Sequence, residues 1–341
     1  MITMNPKDAI QILEQFNHIY TKPTLIYFWK TIENNIKEIK DALKIYGVEI
    51  VFPVKAFPYT DFLDRMPQLG IGFDVSRKSE YRLVERFGYE ATIVTYSGVI
   101  PLDFDSANSI IGFNNVICEP NTPHYSYRIN INRSGLRFSH FGVTEWDNIR
   151  NRNDIKNIHI HLSDISRNTK EFYELFVSAV TEITEAFPNL EILDIGGGWD
   201  KLRFTNLVCL VKEIRALIGN RIRIIIEPGN LIFKDAGFLI TKVVGRNRYH
   251  NKNIIYLDSC REAHTKWSNP KLVNADQLPI SDNSLVLCGS SCDENDIFGL
   301  YKTAYCPLIK ELLMFSDITP YSAAWNTSFN GIEKAEMIIY E

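Results

Sequence analysis

The sequence predicts an α/β protein, with a (β/α)8 barrel followed by a mostly β domain. Three observations point there. Short β-rich runs alternate with longer segments of helical spacing, the pattern of parallel βαβ units. About eight strand candidates fall between residues 49 and 226, a number that suits a closed barrel. After residue 237 the texture changes to short β-like runs between polar loops containing Asn and Pro. A doubly wound open sheet is the competing arrangement for the first part.

The strand candidates are 24–29, 49–54, 71–75, 91–96, 109–114, 125–131, 157–162, 190–195 and 221–226. Between them, residues 31–47, 169–187 and 204–219 carry apolar side chains at spacings of three and four, the mark of one buried helix face. "FLITKVVG", "KNIIYLDS" and "SLVLCG" are the β-like runs of the second part. The first strand, 24–29, is set apart from the barrel set.

Composition narrows the class. The 341 residues exceed what one small core needs. Hydrophobic residues at 45% and charged residues at 23% are ordinary for a globular protein. A net charge of −4 leaves no footprint for nucleic acid, and no polybasic run suits a membrane surface. No apolar stretch is long enough to cross a bilayer, and the N-terminus lacks a secretory pattern, so a cytoplasmic location is expected. Six scattered cysteines without a CxxC pair read as reduced thiols. All but Cys292 are expected to be small buried hydrophobes.

In a barrel, chemistry sits at the C-terminal ends of the strands. Lys55 ends the run at 49–54, an awkward place for a charge. Asp74 sits near the end of "IGFDV", Arg128 lies in "YSYRINI", and His159 and His161 alternate in "NIHIHL". Gly196, Gly197 and Gly198 follow "LEILDI", and Glu227 follows "RIRIII". Singly, each has a bland reading: a snorkelling lysine, a structural histidine, a tight turn. Jointly they suit one chemistry. A lysine amine can form a Schiff base with a carbonyl cofactor. A glycine turn can offer N–H groups to a phosphate. A carboxylate facing a pyridine nitrogen keeps the ring an electron sink. Pyridoxal 5′-phosphate (PLP) needs all three. No cluster has convincing metal-ligand spacing, so no metal is expected.

At these residues the chain resembles the fold-type III PLP-dependent decarboxylases, the ornithine, diaminopimelate and carboxynorspermidine group. "FPVKAF" resembles the lysine segment, and "GFDVSRKSE" the next motif, with Asp74 and Glu80 matching. "YRINI…SGLRFSHFG" matches the arginine strand, "HIHLSD" the stacking histidine, "LDIGGGW" the glycine turn and "EPGN" the pyridine-pairing glutamate. "CGSSCDENDIF" resembles the Cys-Asp segment, and "YSAAWNTSFNGI" the closing motif.

The resemblance implies an alanine-racemase-like barrel at residues 30–236. Residues 1–29 and 237–341 would form the β domain, with the N-terminal strand joining its sheet. It implies PLP held by Lys55, Asp74, Arg128, His161, Gly196, Gly197, Gly198, Glu227 and Tyr321. Lys55, His161 and Glu227 would act in catalysis, with Cys292 as the reprotonating acid. A homodimer with shared sites would bring Cys292 and Asp293 to the partner's cofactor, and a small amine or amino acid would be the substrate. Asp164, Asp293, Asp296 and Glu262 are candidates for a distal substrate amine.

Departures from the family pattern concern the substrate. Asn230 replaces the usual arginine after Glu-Pro-Gly, Ser163-Asp164 replaces Gly-Ser, and Phe57 follows Lys55-Ala56. With "LDSCREAH" (257–264), these features resemble the carboxynorspermidine branch and favour a carboxy-aminopropyl amine. A basic amino acid is the second choice. The third is a carboxy-aminopropyl group on a peptide or nucleotide product, as in microcin C. An amino-acid racemase, a non-catalytic PLP-binding protein and a barrel enzyme without PLP are the other readings.

Overall fold

The computed structural model describes residues 6–87, 93–99, 110–113, 126–131, 139–162, 169–273, 284–302 and 305–341. The chain divides into two compact units, residues 36–232 and residues 1–35 with 233–341. It opens with helix α1 (Pro6–Phe16), strand β1 (Thr24–Phe28) and helix α2 (Trp29–Leu43).

The unit spanning 36–232 is built on eight strands: β2 (Val48–Pro53), β3 (Gly72–Val75), β4 (Val94–Tyr96), β5 (Ile110–Gly112), β6 (Ser126–Ile129), β7 (Asn157–Ile160), β8 (Ile192–Asp194) and β9 (Arg223–Ile226). Among the described residues all its pairings are parallel, and the order is β5-β4-β3-β2-β9-β8-β7-β6. Chain order therefore runs round the sheet without reversing, and its two ends, β5 and β6, come into contact. This is a nearly closed (β/α)8 barrel; a doubly wound sheet would switch direction in the middle.

The strands are short and rich in β-branched residues, as strands covered on both faces should be. Helices α3 (Thr60–Leu63), α4 (Lys78–Val84), α5 (Thr169–Ala186), α6 (Phe204–Ile218) and α7 (Gly229–Ile232) lie between or after them. The two longest match the expected spans to within a residue. On α6, Leu207, Leu210, Val211 and Ile214 are buried, an i, i+3, i+4, i+7 stripe. Phe176, Ala179, Val180 and Ile183 make the same stripe on α5. Cys209 lies off the stripe on α6 and is exposed, against the expectation of a buried thiol.

The second unit is mostly β. Strands β10 (Gly237–Tyr249), β11 (Lys252–Leu257), β12 (Lys271–Leu272), β13 (Ser284–Cys288), β14 (Ile297–Lys302), β15 (Leu312–Ser316) and β16 (Glu336–Tyr340) join β1 in one sheet. Helices α8 (Arg261–His264) and α9 (Pro320–Trp325) are single turns. β1 lies antiparallel to β10 and parallel to β16, so the N-terminal strand is paired on both edges. Helix α1 covers one face through Ala9, Ile12, Leu13 and Phe16, which pack with Ile26, Phe238, Ile240, Leu312 and Met314.

Gly237 begins β10 where backbones come closest. A Cβ there would run into the Ile318 carbonyl oxygen and the Tyr27 ring. Gly237→Ala is expected to lower the unfolding free energy by about 1–3 kcal/mol, the usual cost of overpacking. Urea denaturation would show it as a lower midpoint; an unchanged midpoint would contradict the close packing.

Candidate active site

Two residues beyond β2, Lys55 sits in a single 3-10 turn, Val54–Ala56, at the C-terminal rim of the barrel. Its flanking residues Val54, Ala56 and Phe57 are fully buried, while Lys55 itself is exposed. Phe57 packs edge-on to Phe62, with ring centroids 5.2 Å apart, and Phe62 packs in turn on Phe52 at 4.9 Å. That aromatic cluster seats the turn, so Phe57 is a core residue beneath Lys55. The sequence signal attached to it concerns packing.

Lys55 Nζ donates to Asp74 Oδ2 at 3.1 Å and to Ser76 Oγ at 3.4 Å. Asp74 is 0% exposed, and its charge is compensated from three directions. Besides Lys55, Thr95 Oγ1 donates to its Oδ1 at 3.1 Å and Ser97 Oγ to its Oδ2 at 3.0 Å. Glu80 acts one turn later, where its Oε2 accepts the Ser76 N–H at 2.6 Å. This fixes the loop that carries Ser76 back to Lys55.

The opposite side of the rim is one polar layer. Arg128, His159 and Asp194 are paired in register across β6, β7 and β8. Alternation along parallel strands points such a row to one face. His161 and Gly196 lie two residues further along their chains than His159 and Asp194, and Glu227 two beyond Ile225, the register partner of Asp194. His159, Asp194 and Glu227 are buried. The Arg128 guanidinium lies 4.9 Å over the Phe141 ring.

The glycine turn closes this layer. Gly196 and Gly198 have φ of 68° and 85°, the left-handed region that favours glycine. A Cβ on Gly197 would run into the Glu227 carbonyl oxygen. Trp199, 1% exposed, donates Nε1–H to Gly196 O at 2.6 Å and packs edge-on to Phe176 of α5 at 5.7 Å. The turn was expected to offer its N–H groups to a phosphate. Two are already engaged: Gly196 N donates to Asp194 Oδ1 at 2.8 Å and Gly197 N to His161 Nδ1 at 3.1 Å. Among the described residues, Gly198 is the glycine whose N–H makes no such bond. Beside it, Asn230 Nδ2 reaches Asp200 Oδ2 at 3.4 Å, and Asn230 Oδ1 is buried without a partner.

Electrostatics at the rim follow from burial. The Glu227 carboxyl is pushed up to about 7, first by burial and then by the Asp74 charge, against the pull of Lys55 and Arg128. Asp194 is driven well above the usual carboxylate range by burial and by Glu227. One proton held between these two acids relieves their repulsion. Burial also lowers His161, to about 3, with Arg128 and Lys55 adding to the effect. Both histidines are therefore neutral near pH 7.

These residues fit PLP. Lys55 supplies the amine. Glu227 Oε1, buried without a hydrogen bond, waits for a donor such as a ring N–H. The Gly198 turn borders the place where a phosphate would sit. His159, His161 and Glu227 also bring ligand atoms within 4.8 Å of one another, a set able to hold a metal ion that sequence spacing did not anticipate. Arg128 and Lys55, close enough to act on both histidines, oppose a dication there.

The other expected residues belong to the β unit or lie outside the described residues. Asp164 is among the latter. Cys292 is exposed, and its N–H donates to Asn330 Oδ1 at 3.1 Å. Asp293 Oδ1 accepts from the Asn295 N–H at 2.8 Å. Tyr321 packs edge-on to Trp267, with centroids 6.2 Å apart. Glu262 is paired with Lys266 one turn on.

Asp296 takes a role different from the expected substrate contact. At 3% exposure, it accepts from Arg261 N at 2.8 Å, Ser291 N at 3.0 Å and Ser291 Oγ at 2.6 Å. It is the anchor of its loop. The "LDSCREAH" histidine, His264, is likewise structural: Nδ1 accepts from Cys260 N at 3.2 Å and Nε2 meets Glu333 O at 2.9 Å. A cavity of about 490 Å³ lined by Lys40, Lys44, Glu49 and Pro67 adjoins the N-terminal ends of β2 and β3, the rim opposite Lys55.

Sequence reasoning missed Thr95, Ser97 and Asp194. Thr95 and Ser97 alternate in "VTYSG", and Asp194 ends its strand much as Asp74 stands one residue before the end of its own; an acid at a strand end was the available signal.

Barrel, lysine and glutamate define a pyridoxal-type site, and comparison with known proteins agrees. Residues 29–101 match the family model for the pyridoxal-dependent decarboxylase, pyridoxal binding domain. The diaminopimelate decarboxylase of Neisseria meningitidis serogroup B is 22% identical over 94% of this chain and 88% of that enzyme. That of Deinococcus radiodurans is 23% identical over 52% of this chain, and the match spans only 46% of that enzyme. In fold, the arginine decarboxylase of Paramecium bursaria Chlorella virus has a TM-score of 0.77 at 19% identity, covering 98% of this chain and 100% of that one. Carboxynorspermidine decarboxylase of Campylobacter jejuni has a TM-score of 0.71 at 18% identity, covering 94% of each. Over residues 29–101 the chain is thus similar to the pyridoxal-binding domain of PLP-dependent decarboxylases, and it shares its fold with solved decarboxylases of that kind.

The acid pair makes a pH prediction for the cofactor-free protein. Glu227 has a native pKa above its ordinary value of 4.5. Its contribution to stability is thus complete below about pH 4.5 and is lost as pH rises through about 7. In Glu227→Gln this loss disappears. The stability difference, variant minus wild type, should rise by up to roughly 3 kcal/mol from pH 5 to pH 8. Contributions from the histidines run the opposite way and cancel in the difference. Urea unfolding at both pH values measures it; a pH-independent difference would contradict the assignment.

Proposed function

We propose that this chain is a PLP-dependent decarboxylase that removes the α-carboxylate of an amine-bearing amino acid as carbon dioxide. The observation that carries the reading is the rim itself. A lysine paired to a buried carboxylate and a buried glutamate lacking a partner on one oxygen lie close enough for their charges to interact.

Bound there, PLP supplies an electron sink for the pair left behind by the departing carboxylate. Lys55 holds the cofactor, and Asp74 with Thr95 and Ser97 fixes the lysine before and after turnover. Glu227 accepts the ring N–H. His161, oriented by the Gly197 N–H, packs on the ring as a neutral group. Gly196, Gly197 and Gly198 shape the phosphate end, and Tyr321 is proposed as a further phosphate contact. Arg128 balances the carboxylates of the layer. Cys292 is proposed to return a proton to the product carbon in the partner's site of a homodimer, with Asp293 beside it at the substrate. Asp164 and Glu262 remain the proposed contacts for a distal amine.

Two substrate classes stand. The chain's own departures favour a carboxy-aminopropyl amine such as carboxynorspermidine. Relatives named for diaminopimelate, arginine, lysine and ornithine favour a basic amino acid. Both carry a second amine far from the carboxylate, which suits the acidic candidates. Carbon dioxide release from ornithine, lysine, diaminopimelate, arginine and carboxynorspermidine separates the two. Release from none of them would leave the substrate reading without support.

Lys55→Ala is expected to lose the visible absorbance of bound cofactor and to lower turnover by at least a thousandfold. An unchanged spectrum would remove Lys55 from its role. Cys292→Ala should keep that absorbance and slow turnover by roughly ten- to a hundredfold, in the range of general acid catalysis; full activity would remove Cys292.

A further inference from the structure

His159 has no task in the scheme above, yet it occupies the centre of the polar layer. It is 1% exposed, and neither ring nitrogen has a hydrogen-bond partner. Unpaired buried polar atoms are costly and call for an explanation. Its neighbours are specific. Arg128 and Asp194 flank it in register, the Phe113 ring packs against it at 5.3 Å, and the His161 ring lies 6.2 Å away at 79°. Nε2 faces Glu227 Oε1 at 3.5 Å, about half an ångström beyond a good N–H···O bond.

A neutral imidazole carries one N–H and one lone pair. With the lone pair on Nε2, two acceptors would face each other in a dry site. With the proton on Nε2, the ring becomes a donor aimed at one lone pair of Glu227 Oε1, leaving that oxygen's other lone pair for a ligand. Burial above all keeps the ring neutral, and Arg128, His161 and Lys55 also oppose a second proton on it.

We infer that His159 is a positioning residue for the cofactor contact. As the Nε2–H tautomer it donates to Glu227 Oε1, so that Glu227 meets the pyridine nitrogen as an oriented carboxylate and the ring stays protonated. No atom is transferred; His159 acts through Glu227. The inference rests on the PLP reading and deepens it. It also accounts for a histidine at the inner position of "HIH", where the outer one, His161, lies two residues nearer the C-terminal rim.

The test uses the full chain reconstituted with PLP carrying 15N in its ring. The ring-nitrogen chemical shift and cofactor affinity are read in wild type, His159→Leu and His159→Gln. Wild type is expected in the protonated range. His159→Leu should move the shift towards neutral pyridine and weaken cofactor binding about tenfold, the loss of one hydrogen bond to a charged group. His159→Gln, which keeps an N–H near Nε2, should recover most of both. A side chain that only filled space would leave the shift unmoved. The same shift and affinity in all three proteins would overturn the inference.

Should the leucine variant fail to fold, 15N spectra of the wild-type histidines decide. The Nε2–H tautomer at His159 supports the proposal, and the Nδ1–H tautomer overturns it. Wild type that takes up no PLP would refute the functional reading instead, and the tautomer measurement still judges His159 in that protein.

Discussion

Burial of charge at one end of a barrel is the constraint from which the rest of this structure follows. Asp74, Asp194 and Glu227 lose nearly all their water, and an isolated carboxylate in such a place is prohibitive. Each is handled differently. Asp74 receives Lys55, Thr95 and Ser97. Asp194 receives the Gly196 N–H and shares proton occupancy with Glu227. Glu227 keeps an unsatisfied oxygen, raised into the neutral range. A layer held this way is stiff where it is satisfied and open at Glu227 Oε1, Asp194 Oδ2 and both ring nitrogens of His159. Glu227 Oε1 is where a protonated ring nitrogen would complete the network.

The local geometry follows from the same constraint. The glycine turn bends through left-handed conformations because β8 must pass close to the ends of β7 and β9, with no space for a Cβ at Gly197. Trp199 ties the turn to the α5 face by one hydrogen bond and two edge-on aromatic contacts. The aromatic cluster of Phe52, Phe57 and Phe62 does the same for the Lys55 turn. Apolar packing beneath the rim therefore sets the position of the charges above it.

Most of the architecture was legible from periodicity. The barrel strands and the helices 169–186 and 204–218 fall where alternation and three-four spacing put them, because burial on both faces imposes those patterns locally. Lys55, Asp74, Arg128, His161 and Glu227 could be found because strand ends are where a barrel gathers its chemistry. Thr95, Ser97 and Asp194 escaped notice because their importance lies in register between strands, which no single segment encodes. Asp296 looked like an exposed acid in a polar loop, but its three donors come from residues 261 and 291, so its burial is a tertiary fact. Phe57 and "LDSCREAH" carry family information, while their side chains are spent on packing and internal hydrogen bonds.

The central claim is that the rim exists to hold a pyridine-based cofactor on Lys55. Borohydride reduction of the protein incubated with PLP, followed by peptide mass spectrometry, addresses it directly. The account requires one pyridoxyl-phosphate label per chain, on Lys55 of the peptide containing "FPVKAF". A label spread over surface lysines, or absent from residue 55, would contradict it.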